Sequence, residues 1–181
     1  LKNFVPKVTG YSENFYTYKY VSGKIMSKNL SLKKFINLLK FLNKFWKKNR
    51  NIKKINFKSK CLNFYRDKTI ERIKKFNKKY NFKDDENFIN NIKIERLNKI
   101  LKKIDWNWLS KGISVRFHGD LHFENIINQK KTFRLLDWRQ DFQNDIINGD
   151  IYYDLAKILH GLIVDHNQVD QNKYKIHKTG K

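Results

Sequence analysis

Acidic residues are scarce in this chain: 17 Asp and Glu stand against 40 Lys and Arg in 181 residues, a formal charge of +23. Proline occurs once (Pro6), alanine once (Ala156), cysteine once (Cys61), and glycine only seven times. A single cysteine excludes an intramolecular disulfide framework and suits a reducing compartment. No run approaches the ~20 apolar residues of a membrane-spanning helix. No charged, apolar, then small-residue pattern opens the chain as a secretory leader would, so a soluble, cytoplasmic protein is expected. Scarce Ala and Pro beside abundant Lys, Asn and Ile is the pattern that an A+T-rich coding sequence imposes. Much of the charge is then drift on a solvated surface, and neither nucleic acid nor a membrane is the expected partner, although such a charge ordinarily suggests one. The lysines are scattered, as in KKFNKKYNFK, without the glycines or stacking aromatics of an RNA-binding box.

What is present is sufficient to fold. Hydrophobic residues make up 40% and aromatics 15%, with a mean hydropathy of −0.76. That is enough for one domain with a core and too little for two of full size. Aromatic-rich, β-prone runs around Pro6–Thr9 and Asn14–Tyr20 predict two short strands. From Leu32, with Ser31 as N-cap, apolar residues at Phe35, Ile36, Leu39, Leu42, Phe45 and Trp46 predict an amphipathic helix. Further helices are expected over 62–78 and 89–104, separated by polar loops at 51–60 and 80–87. The texture then changes. ISVRF predicts a strand, IIN and TFRLLDW a hairpin across the QKK turn, and DIYYDLAKILHGLIV a helix capped by Asp150. The fold class expected is α+β, mainly helical with a short hairpin.

The stretch from Arg116, RFHGDLHFEN, carries the chemistry. Asp120 follows Gly119 in a loop between strands, so its carboxylate can face a cleft while the glycine relieves the backbone. Asn125 lies at the start of the next strand, and the hairpin returns Asp137 beside it. An amide oxygen with a carboxylate is hard-oxygen ligation suited to Mg²⁺. A nearby metal-free Asp120 can take a proton from a hydroxyl. That is the layout of phosphoryl transfer. The plain alternative is that Asp120 and Asp137 are ordinary turn and strand-end residues. Asp141, in DFQ, lies four residues beyond the strand end and is assigned to the loop. His160, His166 and His177 show no metal-ligand spacing.

These segments resemble the aminoglycoside phosphotransferase and choline kinase group, distant relatives of protein kinases. HGDLHFEN is similar to the family's H-G-D-x-x-x-x-N loop, LLDW to its metal-binding segment, and GDIYYDLAKILH to its G-D-x-x-x-D-L-A helix. Phe123 and Glu124 depart from the common H-G-D-L-H-P-G-N form, as in a subgroup such as the phosphotransferases encoded near capsule or surface-polysaccharide genes. The resemblance covers residues 112–163 specifically and 5–30 faintly. It implies a protein-kinase-like catalytic lobe over 24–181, preceded over 1–23 by two strands ending an N-terminal lobe and a hinge. It further implies ATP and Mg²⁺ as cofactors, a small hydroxyl-bearing acceptor, and Asp120 as the base. Asn125 and Asp137 would be the metal ligands, His118 and Asp154 supports of the loop, and Lys19, Tyr20 and Val21 the residues meeting adenine. The strands carrying the phosphate loop and its lysine would precede Leu1, so the chain is expected to be part of a longer enzyme and to transfer phosphate very slowly or not at all by itself. Two other functions stay open: a non-catalytic module binding an anionic partner such as RNA, and membrane-surface association through the Ser31–Lys48 helix.

Overall fold

The computed structural model describes residues 1–48, 54–85, 87–130, 132–164 and 166–175. It is an α+β structure of several helices with, among the described residues, four small antiparallel sheets. Strands β1 (Val8–Tyr11) and β2 (Tyr16–Tyr18) form the first hairpin, with an irregularity between Val8 and Gly10. β3 (Lys24–Ile25) leads to helix α1 (Leu32–Phe45), where the Ser31 hydroxyl accepts from Lys34 N–H at 3.4 Å as the expected N-cap.

The next stretch differs from expectation. Helix α2 (Lys54–Leu62) occupies most of what reads as a polar loop at 51–60. It continues through a π-helical turn at Asn63–Asp67 into α3 (Lys68–Tyr80). Phe57, Cys61 and Phe64, four and three residues apart, form a narrow apolar stripe that the surrounding lysines hide from a composition-based reading. Residues 51–53 lie outside the described residues.

The helix expected over 89–104 is instead a hairpin, β4 (Asn87–Ile89) with β5 (Ile92–Ile94), followed by the short α4 (Leu97–Lys103). Asn90 and Asn91 both take positive φ, 52° and 62°. That pair is what a two-residue primed turn requires, and asparagine tolerates it. The Asp84 carboxylate accepts from the Leu97 and Asn98 amides, so α4 starts from a distant cap. Helix α5 (Trp106–Leu109) follows, capped by Asp105.

β6 (Ser114–Arg116) pairs with β9 (Asn148–Asp150) rather than with its sequence neighbours. The hairpin of β7 (Ile126–Asn128) and β8 (Phe133–Leu135) forms where expected, with β3 added on its open side. Helix α6 (Ile151–Ile163) begins at its predicted cap, Asp150. The short α7 (His166–Asp170) is the last element among the described residues. No helix among the described residues is long and apolar enough to cross a membrane.

Two cores result. The larger joins Leu38, Leu42 and Phe45 of α1 to Met26, Leu121, Phe123, the β7–β8 hairpin and Ile158. The smaller gathers Phe57, Cys61 and Phe64 around Phe117 and Phe142. Phe117 belongs to one core, Leu121 and Phe123 to the other. Residues 118–120 therefore cross the seam between them.

Candidate functional site

Anchoring on both sides makes the seam crossing rigid, and a buried carboxylate holds its backbone. Asp154, fully buried on α6, accepts from His118 N–H at 3.1 Å and Trp46 Nε1–H at 3.0 Å through Oδ2. Its Oδ1 accepts from Gly119 N–H at 2.8 Å. Three donors compensate much of the cost of an interior carboxylate, yet burial still pushes its pKa up to about 6. One helical turn earlier, Asp150 accepts from Tyr65 Oη–H at 2.7 Å, Ile113 N–H at 2.9 Å and Tyr152 N–H at 3.2 Å. It ties α6 to the π-turn and to β6.

His118 is also fully buried. Its Nε2 lies 2.8 Å from the Leu136 carbonyl, which can only accept, so Nε2 carries the proton. Nδ1 then accepts from Asp120 N–H at 3.2 Å. Burial drives the pKa down to about 4, which keeps the ring neutral and committed to both bonds. His118 thus links the loop to the end of β8. Gly119 has φ +82°, and a Cβ there would stand 2.4 Å from Arg139 Cβ. Arg139 N–H donates to the His118 carbonyl at 2.9 Å, so the two segments touch and no side chain fits.

Asp120 emerges half-buried from this frame. Its Oδ1 lies 3.0 Å from Lys157 Nζ and 3.3 Å from His122 Nε2, and Lys157 Nζ is also 3.0 Å from His122 Nε2. Burial raises the Asp120 pKa, but the hydrogen bond and charge of Lys157, followed by the neighbouring histidines, leave it below the usual carboxylate range. Burial and the Lys157 charge together hold His122 below its ordinary value. Asn125 Nδ2 donates to the Asp120 carbonyl at 2.9 Å and approaches Oδ2 at 3.4 Å. The amide nitrogen is therefore committed, and Oδ1 is the atom left to serve as a ligand.

Leu136 N–H donates to the Asn125 carbonyl at 2.9 Å. Asp137, the next residue, is exposed with φ 51°. His118, Asp120, Asn125 and Asp154 thus form one bonded group, with Asp137 a single residue from its edge. Lys19, Tyr20 and Val21 lie outside that bonded group. Lys19 N–H donates to the Lys7 carbonyl at 2.9 Å, Tyr20 is exposed, and Ser22 meets Gln129 at the turn end of the β7–β8 hairpin, opposite Asn125. Asp141 accepts from Asn144 N–H at 2.7 Å and stabilises its own loop. His160 meets His122 edge-on, with ring centroids 5.5 Å apart. His177 and the side chain of His166 lie outside the described residues.

Sequence reasoning missed Lys157, although it follows Asp154 by three residues and so shares its helix face. It also missed Trp46 and Tyr65, which reach the two α6 aspartates across 108 and 85 residues of chain. Phe123, where the family pattern has proline, is a core residue. It packs edge-on against Phe35, and a Cβ on Gly161 would lie 3.0 Å from its ring.

Comparison of the chain with protein-family models, curated proteins and solved structures finds no match. Among the described residues no group of three His, Cys, Asp or Glu gathers as a metal cage. Asn125 Oδ1 and the Asp137 carboxylate are hard oxygens, the donor type that Mg²⁺ takes while keeping several waters.

Proposed function

We propose that the chain carries the catalytic centre of an ATP- and Mg²⁺-dependent phosphotransferase with a protein-kinase-like lobe, acting on a hydroxyl of a small molecule such as a sugar, aminoglycoside or choline-like acceptor. The observation that carries this is the bonded set around Asp120. A half-buried carboxylate is kept ionised by Lys157, fixed by His118 and Asn125, and set on a backbone that Asp154 holds.

In this function the acceptor hydroxyl oxygen forms the new bond to the γ-phosphorus as the bridging oxygen to ADP departs, and the hydroxyl proton passes to Asp120. A carboxylate held below its usual pKa is a weak base. Its main work is to orient the hydroxyl, with proton uptake late, as suits a loose transition state. Asn125 Oδ1 and the Asp137 carboxylate would hold Mg²⁺, which supplies charge neutralisation on the phosphates. Lys19–Val21 would meet adenine in the kinase-like arrangement.

Phosphate transfer from Mg-ATP to a panel of sugars, polyols and amino alcohols tests this, with the chain expressed in its whole reading frame. Asp120→Asn is expected to lower turnover by about a hundredfold or more while Mg-ATP binding persists. Wild-type turnover in that variant, or no Mg²⁺-dependent ATP binding in the wild type, would overturn the assignment.

A further inference from the structure

The positive charge is not spread evenly along the chain. Residues 1–66 hold 17 Lys and Arg against one acid, Glu13, whereas residues 67–181 hold 23 against 16. Compositional drift alone would dilute acids everywhere. The depleted half contains α1, whose four lysines, Lys33, Lys34, Lys40 and Lys44, all line one groove of about 1260 Å³. Lys33, Asn37, Lys40 and Lys44 recur at four-, three- and four-residue steps, a single stripe along the helix. Lys24 of β3 and Lys130 in the β7–β8 turn complete the lining, and among the described residues no acidic side chain lines the groove. Lys34 is tied down, donating to the Asn29 carbonyl and side-chain oxygens.

We propose that this groove binds a compact polyanion, a polyol or sugar bearing several phosphate groups. Six ammonium groups around one concavity repel one another, and a multivalent anion relieves that repulsion. Lysine, a flexible point charge, suits clustered phosphates of no fixed planar geometry better than single carboxylates.

The frame is read from the remaining lining. Asn37, Asn128, Gln129 and Thr132 supply acceptor oxygens as well as donors. Acceptors are useless against phosphate and match hydroxyls. A nucleobase would want an exposed ring to stack on, but Phe133 is buried and Phe41 half-buried. A duplex or a membrane surface is too broad to enter a groove of this volume. The site is distinct from the Asp120 group, because Asn128 and Phe133 pair at the opposite end of the hairpin from Asn125 and Leu136. It does not depend on phosphotransferase activity.

Calorimetric titration with myo-inositol hexakisphosphate at about 150 mM salt tests it. Saturable binding is expected, with unphosphorylated myo-inositol silent and tripolyphosphate weaker. Lys40→Glu with Lys44→Glu should weaken binding about tenfold or more. Lys74→Glu with Lys78→Glu, the same charge change on the exposed face of α3, should leave it within about twofold. The proposal is overturned by an absence of saturable binding, by equal losses in the two double variants, or by tripolyphosphate binding as tightly as the hexakisphosphate. Mg-ATP competing with the same dependence on Lys40 and Lys44 would also overturn it, by making the groove a nucleotide site.

Discussion

His118 and Asp154 touch the same short backbone, yet burial displaces their protonation in opposite senses, and this predicts an unusual dependence of stability on pH. The His118 pKa falls from 6.5 to about 4 on folding. Between those values the unfolded chain binds the proton more readily, so the contribution is whole above pH 6.5 and is lost as pH falls, to the extent of about 3 kcal/mol. The Asp154 pKa rises from 3.8 to about 6. Here the folded chain binds the proton more readily, and a contribution of about 3 kcal/mol is present below pH 3.8 and lost as pH rises through 6. In the wild type the two nearly cancel between pH 4 and 6. Each substitution should unmask the other. His118→Gln is expected to lose stability as pH rises across that window, relative to wild type, and Asp154→Asn to gain it. Both variants start lower at neutral pH, since each leaves a buried donor or acceptor without its partner, at about 1–3 kcal/mol. Urea unfolding followed by far-UV circular dichroism at half-unit pH steps measures the profiles. The double variant corrects for the contact between the two residues. Profiles of His118→Gln and wild type that run parallel from pH 4 to 6.5 would refute the linkage, as would NMR protonation of the His118 ring near 6.5.

Two further outcomes follow from the same frame. Gly119→Ala combines a left-handed φ with a Cβ 2.4 Å from Arg139; it is expected to cost about 2–4 kcal/mol, and an unchanged melting temperature would contradict the close approach. Lys157→Met removes the nearest cation from Asp120, so the carboxyl pKa should move upward in a ¹³C NMR titration, burial then being opposed by the neighbouring histidines alone. No shift there would show that Lys157 and Asp120 do not pair in solution.

Elements whose signals are local could be read from the residues alone. The α1 stripe with its Ser31 cap, the Asp150 cap of α6 and the hairpin that returns Asp137 to Asn125 all follow from periodicity, capping chemistry and the turn between two strands, which act over a few residues. The Gly119–Asp120 pairing was legible for the same reason. The helix through 54–60 was not, because its stripe of Phe57, Cys61 and Phe64 means something only against Phe117 and Phe142. The β4–β5 hairpin turned on two asparagines inside a pattern that also suits a helix.

The surroundings of Asp120 depend on long-range packing. Lys157, Trp46 and Tyr65 come from distant parts of the chain, and their partners are chosen by which faces two cores leave in contact. The same holds for charge. Lysine counts read as surface drift in the sequence, and only the packing of α1 against the β7–β8 hairpin gathers six of those lysines around one groove.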